Sequence, residues 1–387
     1  MSQARRVIPN AVPHLAGNEW KYVKECLDTN WVSSAGPFVE RFEREVAAWV
    51  GVPHAVATVN GTAALHVALL AAGVRPGDEV LVPALTFIAT ANAVAYCGAH
   101  PVFLDSEEVS WGVDPGKAAE FLARECRVKD GALVNRSTGR VVRALVPVHL
   151  YGHPCDLDPL LELGRRYPLA IVEDAAEALG ARYRGRRVGA DGLCGCLSFN
   201  GNKIITTGSG GMVLTRDAGL AARVRRLAAQ ARGDALEFIH EEIGYNYRMS
   251  NLHAALGVAQ LEQLDAFVED KRRTAAFYQS ALSRVEGVRP FVEAPWARSS
   301  YWMSSVLLDE RRCPDVRALL RALNADGIQV RPLWRPLHLQ PAFRGCPRDR
   351  VEVAERLYAR GLSLPCSVGI TDEERAAVVE ALLSRLT

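Results

Sequence analysis

Cys196-Leu197-Ser198-Phe199-Asn200-Gly201-Asn202-Lys203-Ile204-Ile205-Thr206-Thr207-Gly208-Ser209-Gly210-Gly211-Met212-Val213-Leu214-Thr215 reads as a strand, a lysine-bearing loop and a second strand. The runs Cys196–Phe199 and Gly211–Leu214 are short and apolar on both faces, as strands covered by helices are. The one lysine between them is held by turns and flanked by Ile204 and Ile205, so its ammonium is poorly solvated. Desolvation lowers an amine's pKa and makes it a usable Schiff-base nucleophile. Most lysines are ordinary surface charges. What sets Lys203 apart is the company it keeps.

Outward from this segment, short apolar runs alternate with helical stretches from Val56 to Leu214. That alternation predicts an α/β sheet covered by helices. The further candidate strands are Ala55–Val59, Glu79–Val82, Pro101–Leu104, Ala144–Val148 and Ala170–Glu173. Helices are predicted over Asp217–Ala231 and over Asn251–Ser283, where Leu252, Leu256, Ala259, Leu261, Leu264 and Phe267 recur at helical spacing. Beyond that the pattern changes. Val288–Phe291, Trp302–Leu308 and Ile328–Pro332 read as strands around the helix Asp315–Asp326, and Asp372–Arg385 as a last helix capped by Thr371. Two domains are predicted, a large one over residues 1–270 and a smaller α+β one over 271–387.

Composition narrows the function. A chain of 387 residues with 46 basic and 44 acidic side chains carries a net charge of only +2, no argument for nucleic acid or an anionic membrane as partner. The pairs Arg5-Arg6 and Arg311-Arg312 read as solvated surface. Nine cysteines, an odd number in apolar surroundings, read as buried hydrophobes in a reducing compartment. Cys194-x-Cys196 has no second pair at a zinc-site spacing, so no metal is predicted. The apolar stretch Val80–Tyr96 is broken by Pro83, Thr86, Thr90 and Asn92, and no signal core follows the first residues. The expected location is the cytoplasm.

Four pieces in fixed order point to one cofactor. Asn60-Gly61-Thr62 ends a strand and opens a helix, where free N–H groups, the Thr62 hydroxyl and the dipole suit a phosphate. Phe87 follows the strand Glu79–Val82, placed to stack on a flat ring at the edge where α/β proteins bind ligands. Val172-Glu173-Asp174 delivers two acids to a strand's end. They face opposite ways, and a carboxylate turned into a crevice needs a cation such as a pyridinium nitrogen. Lys203 is the fourth, with Ser198 available to the same phosphate. Phosphate cradle, ring stacker, pyridinium partner and aldehyde-capturing amine are what pyridoxal 5'-phosphate requires.

On these segments the chain resembles the DegT/DnrJ/EryC1/StrS family of nucleotide-sugar aminotransferases, from Asn30-Trp31-Val32-Ser33-Ser34 through Leu364-Pro365. The resemblance implies the fold-type I architecture: a mixed, mostly parallel seven-stranded sheet flanked by helices, plus a smaller α+β C-terminal domain. It implies that Lys203 forms the internal aldimine, Asp174 pairs with the pyridine nitrogen and Phe87 lies against the ring. Gly61, Thr62 and Ser198 then hold the phosphate. Gly244-Tyr245-Asn246-Tyr247-Arg248-Met249 matches a segment reaching into the neighbouring subunit's site, where Asn246 completes the phosphate shell of a homodimer with shared sites. Glu177 stands near the cofactor's phenolic oxygen, where an ionised carboxylate would repel a phenolate. Substrate contacts are implied at Trp31, Ser33, Asn202, Arg248, Trp334 and His338.

The segments Pro83–Asn92 and Phe199–Lys203 look most like the branch that aminates C4 of 4-keto-6-deoxy hexosamine nucleotides. The implied reaction moves an amino group from L-glutamate to such a sugar, with UDP-2-acetamido-2,6-dideoxy-4-keto-hexose the expected acceptor. Arg232, Arg331 and Lys21 or Lys24 are candidates for the diphosphate. Tyr301-Trp302 is a second candidate wall for the sugar, and His149 and His153 bracket a buried strand's end. Alternatives are amination at C3, a keto-cyclitol substrate or formation of an aminobenzoate precursor. A regulatory or binding relative is a third class, which would tolerate loss of the lysine or aspartate kept here. Lys203 itself counts against the dehydratase branch, which carries histidine, and no cysteine in a mobile glycine-rich loop supports a desulfurase.

Overall fold

The computed structural model describes residues 7–234 and 236–386, and the Arg5-Arg6 pair lies outside the described residues. One sheet of seven strands gathers β1 (His54–Thr58), β2 (Glu79–Pro83), β3 (His100–Leu104), β4 (Val142–Leu145), β5 (Ala170–Asp174), β6 (Cys194–Ser198) and β7 (Gly211–Thr215). Their order across the sheet is β1-β7-β6-β5-β4-β2-β3. Each of the seven runs read as a strand between Ala55 and Leu214 takes a place in it. Val80, Leu81, Val82, Val172, Leu197, Val213 and Leu214 are wholly buried, which is why both faces read apolar. Burying each such side chain contributes roughly 1.5–3 kcal/mol.

Only β7 runs antiparallel to its neighbours, β1 and β6; the other pairings are parallel. Parallel neighbours need a crossover, usually a helix. The loop Phe199–Gly210 contains none, so the chain returns beside β6 in the opposite sense. The carboxyl ends of β1, β2, β4, β5 and β6 therefore share one edge, where such folds bind ligands.

A second, antiparallel sheet holds β8 (Val288–Pro290), β9 (Ser304–Leu308), β10 (Arg331–Pro332) and β11 (Gly361–Leu364), in the order β8-β9-β11-β10. Three departures from the sequence reading stand out. Strand β11 was not foreseen, because Gly361 and Ser363 leave it only two apolar residues. The helix expected over Asn251–Ser283 is two, Asn251–Leu261 and Leu264–Leu282. Gln260 and Gln263 at the break both donate to Glu19 Oε1, at 2.6 and 3.0 Å, a long-range tie that periodicity does not display. Ile328 leaves β10 to bridge Ile8.

The Leu264–Leu282 helix serves both cores. Leu264, Phe267, Val268 and Ala275 join the hydrophobic cluster of the seven-stranded sheet, while Tyr278 and Leu282 join that of the four-stranded sheet. The division drawn at residue 270 falls inside it. No helix of the described residues is long and apolar enough to cross a membrane.

Candidate active site

A cavity of about 290 Å³ opens at the carboxyl edge of the sheet, and Lys203, Asp174, Glu177, Gly61, Thr62, Phe87, Ser198, Asn202 and Trp334 all line it. Each arrives by a local rule. Asn60 caps the Gly61–Ala71 helix, its Oδ1 accepting from the Ala63 N–H at 2.8 Å, so the Gly61 and Thr62 end of the helix faces the cavity. Gly61 passes close under β6: a Cβ there would stand 2.8 Å from Ser198 Cβ. Gly211 is equally confined, since its Cβ would run into the Asn60 backbone carbonyl. Gly211→Ala should therefore push β7 from the helix start, costing about 1–3 kcal/mol of stability in denaturant unfolding and loosening phosphate-ester binding.

Alternation along β5 sends its two acids apart. Glu173 is wholly buried on the far side, accepting from the N–H groups of Gly189, Asp191 and Gly192 at 2.8, 2.7 and 2.7 Å and lying 2.9 Å from His149 Nε2. It is a structural hub. Asp174 turns into the cavity, 4% exposed. The Thr90 hydroxyl donates to its Oδ2 at 2.8 Å and the Ala176 N–H to its Oδ1 at 3.1 Å. Burial pushes its carboxyl up from the usual range, against the pull of those two donors. Among the described residues no basic group forms an ion pair with Asp174, so a buried carboxylate stands ready for a cation.

Lys203 Nζ lies 3.9 Å from Glu177 Oε1 and 3.8 Å from the centre of the Trp302 ring. Burial holds its ammonium below the ordinary lysine range, opposed by the charges of Glu177 and Asp174. Glu177 is raised by burial and by Asp174. Its Oε2 accepts from the Tyr151 N–H at 2.8 Å and its Oε1 from the Trp334 indole N–H at 3.0 Å. Amine and acids are thus each pressed toward their neutral forms, the condition for an amine that attacks carbonyl carbon.

The sequence profile of the DegT/DnrJ/EryC1/StrS aminotransferase family matches residues 13–383. The chain belongs to this family. It is 43% identical over 374 residues to the GDP-perosamine synthase of Caulobacter vibrioides, covering 96% of each chain. It is 37% identical to the dTDP-3-amino-3,4,6-trideoxy-alpha-D-glucose transaminase of Streptomyces venezuelae, covering 90% of this chain and 86% of the other. The crystal structure of S. venezuelae DesV in complex with a ketimine intermediate superposes with a TM-score of 0.84 at 34% identity, covering 95% and 94% of the two chains.

As a DegT/DnrJ/EryC1/StrS aminotransferase the protein is a sugar aminotransferase that depends on pyridoxal phosphate. The donor set fits that cofactor: a glycine cradle whose Cβ space is already filled, a helix start for the phosphate, an unpaired buried carboxylate for the ring nitrogen, and a desolvated amine.

Five of the residues implied by the resemblance lie elsewhere in the single chain. Trp31 and Ser33 contribute backbone carbonyls that accept from Asn251 at 2.8 and 2.6 Å, and neither lines the cavity. Asn246 and Arg248 point away, because their segment is extended: Tyr245 and Tyr247 turn inward, so the residues between face solvent. His338 is a correction. It lies on the short turn Leu337–Leu339, is 4% exposed, and its Nε2 meets Glu355 Oε1 at 2.8 Å, so it does not line the cavity. His149 and His153 are core residues, the latter meeting Pro154 O and the Ala294 N–H at 2.7 and 2.9 Å. Lys24 pairs with Asp28. Thr90, which anchors Asp174, escaped the sequence reading although it lies one helical turn after Thr86.

Proposed function

We propose that the protein transfers the amino group of L-glutamate to C4 of a nucleotide-linked 4-keto-6-deoxy hexose. The observation that carries this is the meeting of Lys203, Asp174 and the Gly61–Thr62 helix start in one cavity. Bound pyridoxal phosphate supplies an aldehyde and an electron-withdrawing ring. The chain does the rest. Asp174 would hold the ring nitrogen's charge, Phe87 and Ser198 would hold ring and phosphate, and Lys203 Nζ would take a proton from the glutamate carbon and later give one to the sugar carbon.

A second cavity of about 470 Å³ supports a nucleotide on the acceptor. It adjoins the first through Thr86, Phe87, Asn202 and Trp334. Arg331 and Arg335 line it and form no ion pair among the described residues, and no described carboxylate lines it. A diphosphate leaving the reacting cavity meets two guanidinium groups there. The name GDP-perosamine synthase borne by several relatives favours a GDP-linked sugar over the UDP-acetamido sugar. The transaminase of 37% identity keeps C3 amination as the second reading.

A homodimer with shared sites is part of the proposal. Asn246 and Arg248 are exposed beside Leu236, Phe238, Ile239 and Ile243, an outward apolar group of the kind that marks interfaces. The test offers the holoenzyme glutamate with GDP-, UDP- and dTDP-linked 4-keto-6-deoxy sugars and a 3-keto isomer, and locates the new amine by NMR. A 4-amino product supports the reading. An amine at C3, or 2-oxoglutarate release with no sugar aminated, sinks it.

A further inference from the structure

Lys271 is a buried cation that the chemistry above leaves unused. On the Leu264–Leu282 helix it is 3% exposed, and its Nζ donates to the carbonyl oxygens of Trp302 at 3.1 Å and Cys366 at 2.8 Å. Among the described residues no carboxylate pairs with it. An ammonium is taken from water only at a large cost, and here its two acceptors lie on the strand β9 approach and just past β11.

What it fixes is Trp302. The indole N–H of that residue donates to the Asn202 carbonyl at 2.7 Å, one residue before Lys203. Held by its backbone at one end and its ring edge at the other, Trp302 turns its face to Lys203 Nζ, 3.8 Å away. Tyr151 and Trp334 lie nearly parallel to it, at interplanar angles of 25° and 28°, so the ring has little room to turn. Trp302 itself is 1% exposed.

We propose that the indole face of Trp302 is the resting place of the Lys203 ammonium between proton transfers, and that Lys271 is the positioning residue that sets this face. The proposal rests on reading Lys203 as the reacting amine. A lysine that carries a proton must have its charged form held inside a dry cavity. The charged groups facing it are Glu177 and Asp174, with His149 behind Asp174 and Lys271 behind the Trp302 carbonyl; the loop Asn200–Asn202 adds none. A carboxylate beside the amine is a base and competes for its proton. An aromatic face attracts the ammonium through its quadrupole and offers the proton no site. The amine therefore stays an acid until it swings to the substrate.

The test measures Lys203 directly. Full-length protein freed of cofactor is acetylated across a pH series, and the Lys203 peptide is quantified by mass spectrometry. Without the aromatic face the charged form loses support, so the midpoint should fall by about one pH unit in Trp302→Leu. It should fall less in Trp302→Phe, which keeps a ring, and also in Lys271→Met, which removes the tie on the Trp302 carbonyl and leaves the ring held at its N–H edge alone. In the holoenzyme the pH limb of glutamate-driven bleaching should move the same way. Midpoints that stay at the wild-type value in Trp302→Leu and Lys271→Met, in protein that melts normally, would overturn the proposal. A wild-type holoenzyme that glutamate fails to bleach would instead sink the transaminase reading and leave the labelling result standing.

Discussion

Lys203→Ala should abolish turnover, by at least about 10⁴-fold, and erase the visible absorbance of the bound cofactor. The magnitude follows from the two jobs of one nitrogen: general acid–base catalysis alone contributes about 10²–10⁴, and covalent capture of the aldehyde is lost with it. Folding should survive, because the ion-pair and ring contacts of Nζ among the described residues are with Glu177 at 3.9 Å and the Trp302 face at 3.8 Å, neither a close hydrogen bond. Equilibrium unfolding of the variant should match the wild type, while its spectrum and its glutamate half-reaction should be flat. A variant that still turns over would show that another group carries the proton.

Asp174→Asn should keep the shape of the site and lose about 10²–10³-fold in the glutamate half-reaction, the usual loss when one preorganised electrostatic partner is removed. The amide oxygen can still accept from the Ala176 N–H, which now donates to Oδ1, while the amide NH2 takes the place of Oδ2 and donates to the Thr90 hydroxyl, which reverses its role from donor to acceptor. What goes is the negative charge that keeps a ring nitrogen protonated. Single-turnover absorbance measures the step. Asp174→Ala should be worse, since Thr90 and Ala176 lose their acceptor as well. A wild-type rate in the asparagine variant would assign the electrostatic work to Glu177.

Much of this was legible in the sequence, for reasons that differ by residue. The strands β1 to β7 showed themselves because both their faces are covered, leaving short apolar runs between turns. Asp174, Gly61, Thr62 and Ser198 were legible because each sits where a strand or helix ends, and Lys203 and Phe87 because each lies in the short loop that follows a strand at the same edge. The illegible part is long-range. The paired glutamines at the helix break answer to Glu19, more than two hundred residues away in the chain. Trp302 read as wall or core with equal right, and only the Lys271 and Asn202 contacts give it a direction. His338 followed the motif Trp334-Arg335-Pro336-Leu337-His338 into an expected pocket, whereas the short turn there carries it inward to Glu355. Asn246 and Arg248 alternate outward on an extended segment and do not line the cavity of their own chain.

The 19-residue helix Leu264–Leu282 sets a rule for anyone who wishes to transplant the C-terminal unit. Its first half fills one core and its second half the other, and Lys271 near the middle grips the Trp302 carbonyl. A splice at residue 270 would halve a single rod and strip the hybrid of its grip on the indole. Chimeras that exchange acceptor preference between relatives must therefore carry the whole rod, with the seam placed before Leu264.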